Sequence, residues 1–227
     1  MRSFEKLPEY MQNDAVKRYY DIVHKKVVSR VLKRLFDIIL SIIIIIILLI
    51  PMVIISCIVG LGSKGGVIFK QKRVTAYGKT FYILKFRTMI SGADKKGSQV
   101  TAANDSRITP QGRVLRKLRL DELPQIFNVL KGDMSIVGTR PEVPKYVEKY
   151  TPEMYATLLL PAGITSPASI KFKNEQELLK NSSSIDADYV EKVLPEKMKY
   201  NLEYTERFNI FYDLKVIIAT FFGVFFK

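Results

Sequence analysis

Residues 38–61 read IILSIIIIIILLIPMVIISCIVGL, a run of 24 residues without a single charge. As one straight helix this run would be about 36 Å long, and the hydrocarbon core of a bilayer is about 30 Å thick. The run therefore predicts a membrane helix. Pro51 interrupts it near the middle, and Lys and Arg residues flank it on both sides. Proline breaks helices and positive flanks favour the cytoplasmic face, so a re-entrant helix bent at Pro51 and an ordinary single span are both open.

The composition of the chain limits the chemistry that it can perform. Lys and Arg outnumber Asp and Glu by 36 to 22, and the net charge of +14 calls for an anionic partner, such as nucleic acid, anionic lipid or a phosphorylated substrate. The chain has one cysteine, Cys57, and one histidine, His24. These numbers exclude a disulfide framework within the chain, a histidine-based triad and a multi-histidine metal site. Carboxylates, cations and a hard metal ion remain.

Composition also divides the chain into four segments. Residues 1–37 form a basic extension, and residues 38–61 form the membrane helix. Residues 62–207 form a cytoplasmic domain, and residues 208–227 form a phenylalanine-rich helix that is too short to span a membrane. Both terminal segments are predicted to be amphipathic helices at the membrane surface. The apolar positions behind this prediction are Val16, Tyr20, Val23, Val27 and Val31 at one end, and Phe208, Phe211 and Tyr212 at the other.

The cytoplasmic segment opens with a pattern typical of a β-hairpin. Two strand-like runs, residues 67–74 and 81–89, flank the turn residues Tyr77-Gly78-Lys79. Successive side chains of a strand alternate between its faces, which groups Tyr82, Leu84 and Phe86 on one face and Lys85 and Arg87 on the other. Short helical patterns separated by prolines follow. The predicted fold class is α+β, a small domain with a β-hairpin and several short helices attached to the membrane helix.

The most informative stretch for function is residues 116–141, RKLRLDELPQIFNVLKGDMSIVGTRP. Asp121 stands at a natural helix N-cap, with Glu122 and Pro124 in the first turn. A carboxylate at that position is held still and kept ionised by backbone N–H groups and the helix dipole. An Asp-Glu pair at a helix start is more often only a cap, so the surrounding residues have to decide between a structural and a chemical role.

Cations surround this predicted helix start in the sequence. They come from the preceding helix, from the residue after a short strand and from one face of the hairpin: Arg113, Arg116, Arg119, Arg140, Lys85 and Arg87. A helix start with several arginines is suited to binding a diphosphate. Two adjacent carboxylates also suit Mg²⁺ held together with substrate phosphates, which leaves one carboxylate free to attack phosphorus.

The chain resembles the bacterial sugar transferases, small monotopic phosphoglycosyl transferases that begin glycan assembly on undecaprenyl phosphate. The resemblance covers residues 33–220 and rests on several motifs in the same order. The matching segments are 33–37, 69–74, 85–89, 104–109, 121–125, 128–135, 137–141 and 161–165. The chain departs from the pattern at Ile50, where the family often has a serine before the membrane proline, so Ser56 is one candidate for holding the bend.

The resemblance implies a two-step transfer on the cytoplasmic face of the bacterial inner membrane. Asp121 would attack the sugar-bearing phosphate of a UDP-sugar, release UMP and form an aspartyl phosphosugar, and undecaprenyl phosphate would then take the sugar phosphate. It also implies that Glu122 helps to hold Mg²⁺, that Arg116 and Arg140 bind phosphates, and that the helix bent at Pro51 is re-entrant. A homodimer is one assembly that the sequence leaves open.

A second class of protein also accounts for part of the sequence. A membrane-anchored protein whose basic surface binds anionic lipid or nucleic acid would explain the charge and both membrane segments. It would not explain Asp121 and Glu122 among the arginines, and no basic stretch interleaved with aromatics suggests a nucleic-acid module. An integral phosphatase or a kinase-like enzyme is disfavoured by the single histidine and the lack of a phosphate-binding glycine loop. The sequence therefore predicts an enzyme without a nucleic-acid partner.

Overall fold

The protein is described by a computed structural model that covers residues 1–62, 65–93, 105–173, 178 and 184–225. Part of the polar loop before Asp105, including Asn104 of the 104–109 motif, lies outside these residues. The α-helices are α1 (Asp14–Lys25), α2 (Val27–Gly62), α3 (Pro110–Lys117), α4 (Gln125–Lys131), α5 (Pro144–Val147), α6 (Pro167–Lys171), α7 (Ile185–Asp188), α8 (Leu194–Arg207) and α9 (Ile210–Phe225). The strands are β1 (Ile68–Val74), β2 (Thr80–Phe86), β3 (Met134–Val137) and β4 (Ala162–Thr165). Mixed helices and small sheets confirm the α+β class.

Helix α2 contains the apolar run and extends beyond it at the N-terminal end. It begins at Val27, so residues 27–37 belong to the same helix as the apolar run and not to a separate extension. Among the described residues it is the one helix long and apolar enough to cross a membrane. Pro51 lies inside it and cannot donate to the carbonyl of Ile47. Ser56 Oγ donates to the carbonyl of Met52 at 2.7 Å, so it does not replace the bond that proline removes.

Both halves of α2 pack against the folded domain that follows it. In the first half Lys33 Nζ donates to the Val137 carbonyl at 2.6 Å, and the Asp37 carboxylate accepts from the Ile136 N–H at 3.0 Å. In the second half Met52, Ile55 and Val59 are buried in a cluster with Phe86 and Leu115 of the domain. Two ends of one helix therefore rest on the same folded domain.

The predicted hairpin is confirmed. β1 and β2 pair antiparallel from Ile68 opposite Phe86 to Val74 opposite Thr80, joined by a 3₁₀ turn at Ala76–Gly78. The face that carries Lys85 is not polar throughout, because Phe81 and Ile83 on the same face are buried in the core. Tyr82, on the opposite face, is 60% exposed. Lys85 is thus presented at the edge of an apolar core, which restricts where its ammonium group can reach.

A second, parallel pair of strands carries the chain into the candidate site. β3 and β4 align Met134 with Ala162 and Val137 with Thr165. Gly163 of β4 lies so close to Gly138, the residue after β3, that a Cβ on Gly163 would be 2.1 Å from the backbone nitrogen of Gly138. Glycine at both positions therefore lets the backbones touch, and Arg140 emerges immediately after this crossing.

The N-terminal extension is a domain element, and the prediction that its apolar face lies on the membrane was wrong for residues 14–25. Val16, Tyr20 and Val23 of α1 are all buried against the domain. The reason is non-local: the amphipathic face of α1 meets the apolar residues of the 143–159 region, which offer a protein surface to cover. Only Val27 and Val31, which belong to α2, remain exposed.

The C-terminal helix α9 also differs from the prediction in one anchor. Phe208 is fully buried in the core and cannot insert into lipid, whereas Phe211 is 73% exposed. The buried side of α9 carries Asp213, whose carboxylate accepts from Lys33 Nζ and from the Tyr204 hydroxyl at 2.7 Å each. This buried network joins α2, α8 and α9 at a single point. Exposed Leu214, Ile218, Phe221 and Phe222 line the outer side of α9.

Candidate active site

The Asp-Glu pair lies in a tight turn before α4 and not at its N-cap. Arg119 adopts a left-handed backbone conformation (φ 58°), and a 3₁₀ turn follows at Leu120–Glu122. Helix α4 begins at Gln125 with Pro124 as its N-cap. The N-cap prediction for Asp121 was therefore wrong, because the chain reverses at Arg119 and starts a 3₁₀ turn early. Its carboxylate is held by burial and by neighbouring charges, and not by capping bonds to α4.

Glu122 is the centre of the cation cluster. Its carboxylate is paired with Lys85 Nζ at 3.0 Å and with two nitrogens of the Arg140 guanidinium, one at 3.1 Å and the other closer. Burial opposes ionisation of Glu122, but Arg140 and Lys85 outweigh it and hold the pKa of Glu122 well below its usual value. β2 and the segment after β3 therefore converge on one carboxylate, which brings together three residues that are far apart in the sequence.

Asp121 is buried beside this cluster, and its pKa is shifted in the opposite direction from that of Glu122. Burial and the neighbouring Glu122 carboxylate raise the pKa of Asp121, while Lys85, Arg116 and Arg140 partly oppose them. Ionisation is therefore more costly for Asp121 than the sequence prediction implied. A carboxylate with a raised pKa in a cationic site is more basic and more nucleophilic than an exposed one, and such perturbed groups concentrate at functional sites.

Two of the predicted phosphate ligands have different surroundings. Arg116 lies within the electrostatic reach of Asp121 and Glu122, and its Nε donates to the Thr88 hydroxyl at 2.8 Å. Arg87 is buried at the C-terminal end of α2, where its guanidinium meets the Val59 carbonyl at 3.4 Å. The structure thus brings Lys85, Arg116 and Arg140 to the carboxylates and gives Arg87 a contact with α2.

Sequence reasoning missed two residues near the pair. Arg73 of β1 donates to the Pro141 carbonyl at 3.0 Å, and its pKa is lowered by burial and by Arg140 despite the opposing Glu142. Gln125 follows the pair by one turn and is fully buried. No local sequence pattern marks either residue as part of the site. Alternation along β1 and the helical period of α4 show which side chains share a face, but not which other part of the chain that face contacts.

The carboxylates at this site are suited to a Mg²⁺ ion that has few protein ligands. Mg²⁺ usually binds one or two protein carboxylates and takes its remaining ligands from substrate phosphates and water. Asp121 and Glu122 supply that number, and no cluster of three or more His, Cys, Asp or Glu side chains occurs in the described ranges. A metal ion at Glu122 would compete with Lys85 and Arg140, so those cations would have to turn to the phosphates that arrive with it.

Comparison with known proteins identifies the family of the chain. Residues 28–227 match the family model for bacterial sugar transferases. The match covers the hairpin, the Asp-Glu pair and both cations paired with Glu122, so the chain belongs to the bacterial sugar transferase family.

Two of the relatives act on undecaprenyl phosphate according to their names. The chain is 34% identical over 193 residues to the UDP-N-acetylgalactosamine-undecaprenyl-phosphate N-acetylgalactosaminephosphotransferase of Aeromonas hydrophila, covering 83% of this chain and 42% of the relative. It is 36% identical over 199 residues to the UDP-glucose:undecaprenyl-phosphate glucose-1-phosphate transferase of Escherichia coli (strain K12), covering 86% and 40%. It is 34% identical over 190 residues to EpsL, an uncharacterized sugar transferase of Bacillus subtilis (strain 168), covering 84% and 85%. The chain thus spans about two fifths of the first two relatives.

Proposed function

We propose that the protein transfers a sugar 1-phosphate from a UDP-sugar to undecaprenyl phosphate on the cytoplasmic face of the bacterial inner membrane. One observation carries this proposal: a buried Asp121-Glu122 pair is surrounded by Lys85, Arg116 and Arg140, which come from three separate parts of the chain. Three cations around two carboxylates leave an excess of positive charge for phosphate. The names of the relatives supply the substrate class.

In the first half-reaction an Asp121 oxygen attacks the phosphorus atom that bears the sugar. A new P–O bond forms to the aspartate, and the P–O bond to UMP breaks, so UMP leaves with the bridging oxygen and its electron pair. Arg116 and Arg140 stabilise the charge that accumulates on the leaving phosphate. No proton needs to move, which suits a site built from carboxylates and cations.

In the second half-reaction a phosphate oxygen of undecaprenyl phosphate attacks the same phosphorus atom. The bond to Asp121 breaks and the carboxylate is regenerated, while the lipid gains a diphosphate linkage to the sugar. The attacking oxygen is already largely anionic near neutral pH, because the second pKa of a phosphate monoester is about 6. A general base is therefore unnecessary.

Mg²⁺ belongs to the proposal as a cofactor, held by Glu122 together with the donor's phosphates. When bound, the ion would neutralise phosphate charge as the P–O bond breaks. Lys85 and Arg140 would move from Glu122 to phosphate oxygens, so the cations that stabilise Glu122 in the free protein also serve the substrate. In the free protein the Glu122 carboxylate thus takes the place that a donor phosphate would occupy beside Lys85 and Arg140.

We also propose that α2 is re-entrant. Lys33 and Asp37 near its start and Val59 near its end all contact one cytoplasmic domain. An ordinary span would carry the second half to the opposite side of a hydrocarbon core of about 30 Å. The packing of both halves on the same domain, together with Pro51 in the middle, favours a helix that enters and leaves through one leaflet.

UMP release from purified protein in detergent or nanodiscs tests the proposed function. With a panel of UDP-sugars and Mg²⁺, we expect UMP in a burst equal to the enzyme concentration before any acceptor is added, and none after chelation by EDTA. Steady release should begin when undecaprenyl phosphate is supplied. A protein that only binds lipid or nucleic acid would release no UMP under any of these conditions.

The pH dependence of the burst rate should have two limbs. Asp121 must be ionised to attack, so activity is present above its raised pKa and is lost as the pH falls through it. Burial lowers the pKa of Lys85, so its positive charge is present below that pKa and is lost as the pH rises through it. Lys85→Arg should remove the alkaline limb, because a guanidinium stays protonated.

Lys79→Arg is the matched control for this pH profile. Lys79 pairs with Asp133 at 3.2 Å and its side chain is 62% exposed, so the substitution should leave both limbs in place. An alkaline limb that survives Lys85→Arg unchanged would assign that titration to another group.

A further inference from the structure

Gln125 is an unusual residue for the interior of a small domain. Its side chain is fully buried, yet neither its amide nitrogen nor its amide oxygen has a hydrogen-bond partner among the described residues. Burying a polar amide without partners costs folding free energy. An unpaired buried amide therefore needs an explanation outside the stability of the free protein.

The local backbone places Gln125 on the same side of the chain as Glu122. Hydrogen bonds of the 3₁₀ type run through this segment, from Glu122 N–H to Arg119 O and from Ile126 N–H to Leu123 O. Residues three apart in such a turn lie on one side of it, which places Gln125 on the same side of the segment as Glu122. Asn128 lies three residues further on the same face.

The contacts of Glu122 and Asn128 indicate which side of the segment Gln125 occupies. Glu122 reaches Lys85 of β2, and the Asn128 amide donates to the Tyr82 carbonyl at 2.9 Å and accepts from the Leu84 N–H at 3.0 Å. The three side chains thus form one row that is turned towards β2. The Asn128 amide has both of its hydrogen-bond partners, and the Glu122 carboxylate is paired with two cations. The Gln125 amide has no hydrogen-bond partner among the described residues.

We propose that Gln125 is a positioning residue for Glu122 in the donor-bound state, an inference that rests on the proposed function. When Lys85 and Arg140 turn to the phosphates of the nucleotide sugar, the Glu122 carboxylate loses the donors that hold it. The Gln125 amide N–H then becomes the donor that keeps the carboxylate oriented. The amide is unpaired in the free protein, and costs folding free energy there, because its partner becomes available only in the donor-bound state.

Gln125→Leu tests this role because leucine keeps most of the volume and removes the amide. The melting temperature should stay the same or rise, because no folded-state hydrogen bond is lost. The burst rate constant with UDP-sugar and Mg²⁺ should fall roughly 10–100-fold, the range for loss of an outer-shell partner. Binding of UDP alone, measured by calorimetry, should be unchanged.

Asn128→Leu is the matched control in the same row. It removes two formed hydrogen bonds, so the melting temperature should fall by roughly 2–12 °C. A Gln125→Leu variant that loses stability in the same way, or that keeps the full burst rate, overturns the inference. The wild-type protein is measured in parallel: absence of UMP there contradicts the proposed function itself, whereas equal bursts from both proteins contradict only the role of Gln125.

Discussion

Asp121→Asn is expected to lower turnover by roughly 10⁴–10⁶-fold, the range found when a covalent nucleophile is removed. Asparagine has nearly the same shape as aspartate, but its neutral amide is a poor nucleophile towards phosphorus. The measurement is steady-state UMP release with donor, Mg²⁺ and undecaprenyl phosphate. Asp21→Asn is the control, because Asp21 is exposed on α1 and pairs with Lys17 in a surface salt bridge.

The same variant should fold at least as well as the wild type. Burial and Glu122 raise the pKa of Asp121, so near neutral pH the ionised carboxylate costs folding free energy that a neutral amide avoids. Membrane association and melting temperature should therefore be retained while activity disappears. Turnover above about a tenth of the wild-type value would remove Asp121 from the role of nucleophile.

Lys33→Met is expected to destabilise the protein by about 3–5 kcal/mol, because it leaves a buried carboxylate without its cation. Lys33 and Asp213 lie 2.7 Å apart with side-chain exposures of 6% and 2%. For a chain of this length the melting temperature should fall by roughly 6–20 °C. The physical cause is specific: the variant removes the charge that ties helix α2 to α9.

Two further variants separate this effect from a general loss of charge. Lys17→Met breaks an exposed pair with Asp21 and should cost at most about 1 kcal/mol. Adding Asp213→Asn to Lys33→Met should recover part of the lost stability, since the remaining amide is neutral and can still accept from the Tyr204 hydroxyl. Equal melting temperatures for Lys33→Met and Lys17→Met would show that the buried pair does not hold α2 to the domain.

Local patterns in the sequence predicted the elements that depend on local physics. Alternation and turn residues predicted the β1–β2 hairpin, and the uncharged run predicted α2. The sequence also grouped Lys85 and Arg140 around the Asp-Glu pair, as ligands for an anionic substrate. It did not predict that both cations pair with Glu122 in the free protein. The predicted features follow from composition, period and charge.

The predictions that failed concern which surfaces meet. An amphipathic face can cover a membrane or a protein, and the sequence of α1 does not distinguish them, so its burial against the domain was missed. The left-handed turn at Arg119 moved Asp121 out of an N-cap that its residue type favours. β4 pairs with β3 across intervening helices, and no local period reveals that contact.

Intact-mass spectrometry of the protein mixed with UDP-sugar and Mg²⁺, without undecaprenyl phosphate, tests the covalent step most directly. We expect one added sugar phosphate per chain, located by peptide mapping to Asp121, and its loss when the lipid acceptor is supplied. An unmodified protein that nevertheless releases UMP once acceptor is present would contradict a covalent aspartyl intermediate and indicate direct transfer between the two substrates.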